Sequence, residues 1–169
     1  MNIHDSGRVL QPTEIVLGGI WLGPGSGPSG DGNRPDLGQE NATKAVEAAI
    51  KNGVRDFDTA PWYGAGASEE RLGRAINALK ERGLEGSDSA RVVTKAGRLF
   101  REPDGTTPCL AGFDAPGRAK LSDRVCRNDY SAAGVASSLA ESLDRMGLGG
   151  VYGLRMHDPN DNSNNRVGA

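Results

Sequence analysis

Gly53-Val54-Arg55-Asp56-Phe57-Asp58-Thr59-Ala60-Pro61-Trp62-Tyr63-Gly64 reads as a short strand over 54–58 that ends on a carboxylate and turns at a proline into two aromatics. A helix lies on each side of it. Over 40–52, Ala42, Val46, Ala49 and Ile50 share one face, and Gly53 is a natural stop. Beyond the turn, Ser68 is read as an N-cap, and Glu69 and Glu70 complement the dipole of the first helical turn. Leu72, Ala75, Ile76 and Leu79 then form an apolar stripe that ends at Gly83.

Working outward, the stretches 8–10 and 14–19 read as short strands around Gln11-Pro12, and the second is the better first strand. Residues 21–35 form a loop rich in glycine, proline and serine. The next strand covers 91–95 and ends on Lys95. A long connection over 96–130 has no clear periodicity, and loops of that length in compact domains are often lids or binding loops. Ser131 is read as the cap of a helix carrying Val135, Leu139, Leu143 and Met146 up to Gly147. The last strand, 151–156, leads into His157-Asp158-Pro159. Residues 160–169 read as a polar, unstructured tail to a single domain spanning 1–169.

Four strands alternating with three helices predict a parallel α/β sheet with helical crossovers. Two closures satisfy that order, an open doubly wound sheet and a (β/α)8 barrel. Both place chemistry at the carboxyl ends of strands, where Asp58, Lys95 and His157 fall. The run Gly25-Ser26-Gly27-Pro28-Ser29-Gly30 matches G-x-G-x-x-G, but three neighbouring prolines and no helix opening within it make it a loop rather than a dinucleotide fingerprint.

The 169 residues are one ordinary domain by length, with 36% apolar residues and 25 glycines. A net charge of −2 offers no basic field, so nucleic acid is not an expected partner. No apolar run approaches the ~20 residues that span a bilayer, and no secretory signal is visible, so a cytoplasmic protein away from the membrane is expected. Cys109 and Cys126 lack any pattern and read as free thiols. Neither has metal-site spacing with His4 or His157, so no metal is expected.

The order Asp58, Tyr63, Lys95, His157 suits carbonyl chemistry. A phenol titrates near ~10, and a nearby ammonium favours its phenolate form. A carboxylate beside the lysine fixes that ammonium in place. An imidazole near the phenol can hydrogen-bond a substrate carbonyl oxygen. Tyr63 would protonate that oxygen as hydride reaches carbon, or deprotonate the alcohol in reverse. No side chain supplies hydride, so the chemistry requires a nicotinamide cofactor.

The run from Phe57 through Pro61-Trp62-Tyr63-Gly64 to Ser68-Glu69, with Thr94-Lys95-Ala96-Gly97-Arg98 and His157-Asp158-Pro159, resembles the aldo-keto reductases. The Pro-Trp-Tyr-Gly form is most similar to the branch containing aldose 1-dehydrogenases and pyridoxal 4-dehydrogenase. The resemblance implies a (β/α)8 TIM barrel, NAD or NADP as cofactor, and a catalytic set of Asp58, Tyr63, Lys95 and His157. It also implies cofactor contacts from Gly19, Trp21 and Asp58, and substrate contacts from Trp62, Tyr63 and His157. The expected substrate is a small sugar or other aldehyde or lactol.

A barrel of this kind takes ~250 residues, so this chain is expected to hold a truncated, partial barrel of about the first four βα units. The isolated chain is then expected to be inactive, a remnant or interaction module, unless self-association completes the barrel. Strand alternation points Arg155 inward with His157, and an unpaired inward arginine is costly. Asp56, two residues before Asp58, is the expected partner of Arg155 in one layer of the barrel.

Overall fold

The computed structural model describes residues 10–23, 36–101 and 125–159. Strand β1 spans Val16–Gly18, helix α1 Gly38–Lys51, strand β2 Asp56–Asp58 and helix α2 Ala67–Glu81. Strands β3 (Arg91–Ala96), β4 (Arg98–Arg101) and β5 (Val125–Asn128) follow, then helix α3 (Ala132–Met146) and strand β6 (Gly153–Met156). The main sheet has the order β1-β2-β3-β6, and every pairing in it is parallel. The expected alternation of strands and helices is therefore present. The expected strand at 8–10 and tail at 160–169 lie largely or wholly outside the described residues, as does most of the 21–35 loop.

The three helices end in the same way. Gly53 N–H donates to Ile50 and Val54 N–H to Ala49, the paired bonds of a Schellman motif. Gly83 with Leu84, and Gly147 with Leu148, repeat it at the ends of α2 and α3. All three glycines have positive φ, a backbone state in which a side chain is strained.

The helices pack on one face of the sheet. Leu22, Ala42, Val46, Ile50, Leu72, Ala75, Ile76, Leu79 and Met146 close over Phe57 and Val92. Strand alternation sends Val92, Thr94 and Ala96 into that layer, while Arg91, Val93 and Lys95 face the other way. The second face is charged: Arg91 holds Asp56 through a two-pronged ion pair, with Nε to Oδ1 at 2.6 Å.

Four expectations are corrected. The 96–130 connection contains the antiparallel pair β4–β5, whose partners lie too far apart in sequence for local periodicity to show. Ser68 is not a cap. Gly64, Ala65 and Gly66 all have positive φ, and Gly66 leads the chain into α2 two residues earlier. Ser68 is fully buried inside the helix, where its Oγ donates to the Gly19 carbonyl (2.6 Å) and meets Thr59 Oγ1 (2.8 Å).

The buried face of α3 is Gly134, Ser138, Ser142 and Met146, and the expected Val135, Leu139 and Leu143 are only half-buried. Small residues win this face because α3 lies close against its neighbours. The Met146 backbone occupies the space a Cβ on Gly73 would need. Beside that contact Glu69, fully buried, accepts from Thr94 Oγ1 (2.5 Å) and Arg145 Nε (2.8 Å), joining α2, β3 and α3. Ser131 does cap α3, its Oγ accepting from Gly134 N. Arg155, finally, pairs with Asp58 at the mouth of the sheet and not with Asp56.

Two substitutions test this packing by urea denaturation. Gly73→Ala forces a methyl group into the Met146 backbone and is expected to cost ~1–3 kcal/mol. Arg145→Met leaves the Glu69 carboxylate buried without its cation and is expected to cost ~3–5 kcal/mol. An unchanged unfolding midpoint in either variant contradicts the close α2–α3 approach or the buried pair.

Candidate active site

The carboxyl ends of β2, β3 and β6 bring the four expected residues together. Asp58 ends β2, Lys95 is next to last in β3, and His157 follows β6 directly. Tyr63 sits in the turn between β2 and α2. Lys95 Nζ lies 2.7 Å from Asp58 Oδ2 and donates to the Thr59 carbonyl at 2.9 Å. The same ammonium stands 4.5 Å from the centroid of the Tyr63 ring. His157 meets that ring from another side, edge to face, with centroids 5.8 Å apart.

The local folding follows from buried polar bonds. Thr59 is fully buried, and its hydroxyl is held by Ser68, which also holds the Gly19 carbonyl. One hydroxyl pair thus links the ends of β1 and β2 to the start of α2. Gly19 is buried, and a Cβ there would stand 2.8 Å from the Asp58 carbonyl oxygen, so no larger residue fits. Trp21 is half-buried in the 3-10 turn Gly19–Leu22. Trp62 is half-buried next to Tyr63, with the Arg98 guanidinium 4.7 Å from its ring centroid.

Asp58 has a second cation. Arg155 Nη1 reaches its Oδ1 at 3.3 Å, whereas Asp56 is held by Arg91. The expected Asp56–Arg155 pair is therefore replaced by Asp58–Arg155. The register explains the change: Asp56 lies opposite Arg91, while Arg155 lies opposite Lys95. The strands are staggered, so β6 brings its arginine to the layer of Lys95 and Asp58.

His157 is 5% exposed, and its Nδ1 makes no hydrogen bond among the described residues. Burial above all, and then the charge of Arg98, pushes its pKa down from 6.5 to about 4, against the opposing pull of Asp158. The imidazole is thus neutral at pH 7. Its turn is clamped from several sides: His157 N–H donates to Ala96 O (3.0 Å), and Tyr130 Oη donates to His157 O (2.6 Å).

Arg98, Tyr130 and Asp158 were not singled out by the sequence reading. The signal for Arg98 was its place directly after Gly97, whose φ of +100° turns the chain from β3 into β4. Among the described residues no cluster of three or more His, Cys, Asp or Glu can hold a metal, and no helix is long and apolar enough to cross a membrane.

The Aldo/keto reductase family model matches residues 14–164. The chain is similar to a D-threo-aldose 1-dehydrogenase of Pseudomonas sp, at 39% identity over 124 residues, covering 73% of this chain and 35% of that protein. It is also similar to pyridoxal 4-dehydrogenase of Microbacterium luteolum, at 32% identity over 153 residues, covering 89% of this chain and 42% of that protein. In fold it is similar to the glycerol dehydrogenase of Gluconobacter oxydans, with a TM-score of 0.53 at 24% identity over 84% of this chain and 34% of that one. An aldo-keto reductase of Bacillus halodurans gives 0.54 at 19% identity over 91% of this chain and 42% of that one. The chain spans less than half the length of each of these proteins. Its four-stranded parallel sheet, with helices on one face, corresponds to part of their barrel. With the family model matched over most of its length and these relatives alongside, the chain belongs to the aldo/keto reductase family.

Proposed function

We propose that this chain carries the proton-transfer residues of an NAD(P)-dependent oxidoreductase acting on a small sugar or other aldehyde or lactol, with Tyr63 as general acid and base. One observation carries the reading: the Lys95 ammonium lies against the Tyr63 ring while bonded to Asp58, with His157 on the same ring. Asp58 and the Thr59 carbonyl hold the ammonium in place. The ammonium stabilises the negative charge that develops on the phenol oxygen as its proton leaves. In reduction Tyr63 gives its proton to the carbonyl oxygen, and in oxidation it takes one from the alcohol. His157, being neutral, hydrogen-bonds the substrate oxygen without competing as a proton source. Trp62 forms a wall of the substrate pocket.

The residues present fit the reacting end of a nicotinamide site, with polar groups converging where three strands end. Gly19, Trp21 and Asp58 would hold that end. When bound, the nicotinamide supplies or accepts the hydride at the carbonyl carbon. The cations at this mouth are engaged with carboxylates: Lys95 and Arg155 with Asp58, and Arg98 with Asp158.

A second reading is favoured by the charged face of the sheet. Val16 is 54% exposed and the Arg155 side chain 64% exposed on the side opposite the helices. In this reading the chain is catalytically silent alone and pairs through that face, with a second copy or another part of a barrel. In either case the chain is read as one domain in a cytoplasmic setting.

Titrating the purified chain with NADPH and with NADH, followed by cofactor fluorescence and by size-exclusion chromatography, separates the two readings. Saturable binding supports the enzyme reading, and a silent titration at millimolar cofactor overturns it for this chain. In an active assembly, Tyr63→Phe is expected to lower turnover by at least ~100-fold while leaving cofactor affinity within about twofold. Wild-type turnover in that variant refutes the assignment of Tyr63.

The buried imidazole also predicts a pH dependence of stability. The unfolded chain takes up the His157 proton near 6.5, and the folded chain only near about 4. This group therefore has no effect above pH 6.5 and costs stability as pH falls from 6.5 to about 4, by at most ~3 kcal/mol. Denaturation midpoints measured across this window are expected to fall less steeply in His157→Gln. Identical slopes in the two proteins contradict the burial of His157.

A further inference from the structure

We propose that Arg98 is a positioning residue for this site: its guanidinium joins the Trp62 indole and the His157–Asp158 turn into one wall beside Tyr63, and its charge keeps His157 a hydrogen-bonding group rather than a proton carrier. The role assigned to that wall rests on the function proposed above. The geometry itself does not.

Arg98 is the first residue of β4, and the hairpin fixes its backbone. Gly97 O accepts from Asp129 N (2.9 Å), and Arg98 pairs with Asn128 across the ladder. The Tyr130 ring fills the space that a Cβ on Gly97 would need, and the same Tyr130 hydroxyl clamps the His157 carbonyl. The hairpin thus sets the positions of both the guanidinium and the histidine turn.

The Arg98 side chain is 4% exposed. Burying a guanidinium is costly unless it is paired, and a carboxylate and an aromatic face are among the groups that reduce that cost here. Nη2 donates to Asp158 Oδ2 at 3.0 Å, and the indole face of Trp62 lies 4.7 Å from the guanidinium carbon. Asp158 presents its carboxylate from a backbone with φ of +45°, a conformation few residues other than glycine, asparagine and aspartate adopt readily.

The Asp158 oxygen that accepts from Arg98 is also 3.7 Å from His157 Nε2. Without Arg98 that carboxylate would be the natural partner of an imidazolium. With Arg98 there, a proton on His157 would meet a buried cation. Among the described residues, the charged and titratable groups around His157 are Arg98 from β4, Lys95 from β3, Asp58 from β2, Tyr63 from the β2–α2 turn, Tyr130 beyond β5, and Asp158 next to it in the chain. Arg98 and Lys95 oppose the proton, and Asp158 and Asp58 favour it.

The test is an NMR titration of the imidazoles from pH 3 to 8 in the wild type, Arg98→Gln, Arg98→Lys and Asp158→Asn. The chain has two histidines, His4 and His157, so His157→Gln assigns the signals. Arg98→Gln is expected to raise the His157 midpoint by about one pH unit or more, and Arg98→Lys to leave it close to that of the wild type. Asp158→Asn, which suits the left-handed backbone, is expected to lower it. A purely structural role predicts otherwise: loosening the turn wets the imidazole and raises the midpoint in both Arg98→Gln and Asp158→Asn. That result, or an unmoved midpoint in Arg98→Gln, overturns the proposal. If Arg98→Gln does not fold, the sign of the Asp158→Asn shift decides, downward supporting and upward refuting. Because the readout needs no turnover, an active Tyr63→Phe enzyme would refute the proposed function and leave this result standing.

Discussion

Lys95 Nζ bonds both the Asp58 carboxylate and the Thr59 carbonyl, so one ammonium joins the ends of two neighbouring strands. With side chains only 12% and 19% exposed, the Lys95–Asp58 pair has surrendered much of its hydration, and removing either partner leaves a poorly solvated charge. The pair is also built into the packing. Thr59 carries the constraint through its hydroxyl to Ser68, and Ser68 carries it to the Gly19 carbonyl at the end of β1. The next residue in α2, Glu69, extends it to Thr94 and to Arg145 of α3. The mouth of the sheet and the helix layer behind it are therefore one bonded structure, and a reacting group placed there inherits the rigidity of the core.

The two faces of the sheet obey different physics. The helix face excludes water from apolar side chains and holds Ser68, Thr94 and Glu69 by specific bonds. The opposite face carries charge in layers, Asp56 with Arg91 and then Asp58 with Lys95 and Arg155. Purely parallel sheets are normally covered on both faces by apolar layers. Here the second face balances ion pairs instead. Arg155 illustrates the difference. Its inward direction was readable from strand alternation, but its partner depended on the stagger between strands, which carries it one layer above Asp56.

Local sequence was a good guide where the deciding interaction is local. Gly53, Gly83 and Gly147 end their helices because only glycine enters the left-handed state freely, and that preference belongs to the residue itself. The stripe of α2 was legible because Leu72, Ala75, Ile76 and Leu79 recur at helical spacing. In α3 the same rule failed. Val135, Leu139 and Leu143 have the right spacing, yet Gly134, Ser138 and Ser142 are the residues buried. Close approach to α2 and the Glu69–Arg145 pair decide that rotation, and neither is visible within the helix's own sequence. Ser68 was misread for a similar reason: a serine before a helical stripe suggests a cap, but three positive-φ residues start the helix earlier and turn the hydroxyl inward.

By itself the sequence determined the order of strands and helices, the helix stops, and which titratable side chains fall at strand ends, because each follows from short-range backbone preference and periodicity. The tertiary structure alone decided the pairings: Arg155 with Asp58, Arg98 with Trp62 and Asp158, and Tyr130 with the His157 carbonyl. The same long-range packing moved the protonation of His157. Those partners lie 27 to 97 residues apart along the chain, or reach each other through a β-hairpin, and only strand register and helix packing bring them within bonding distance.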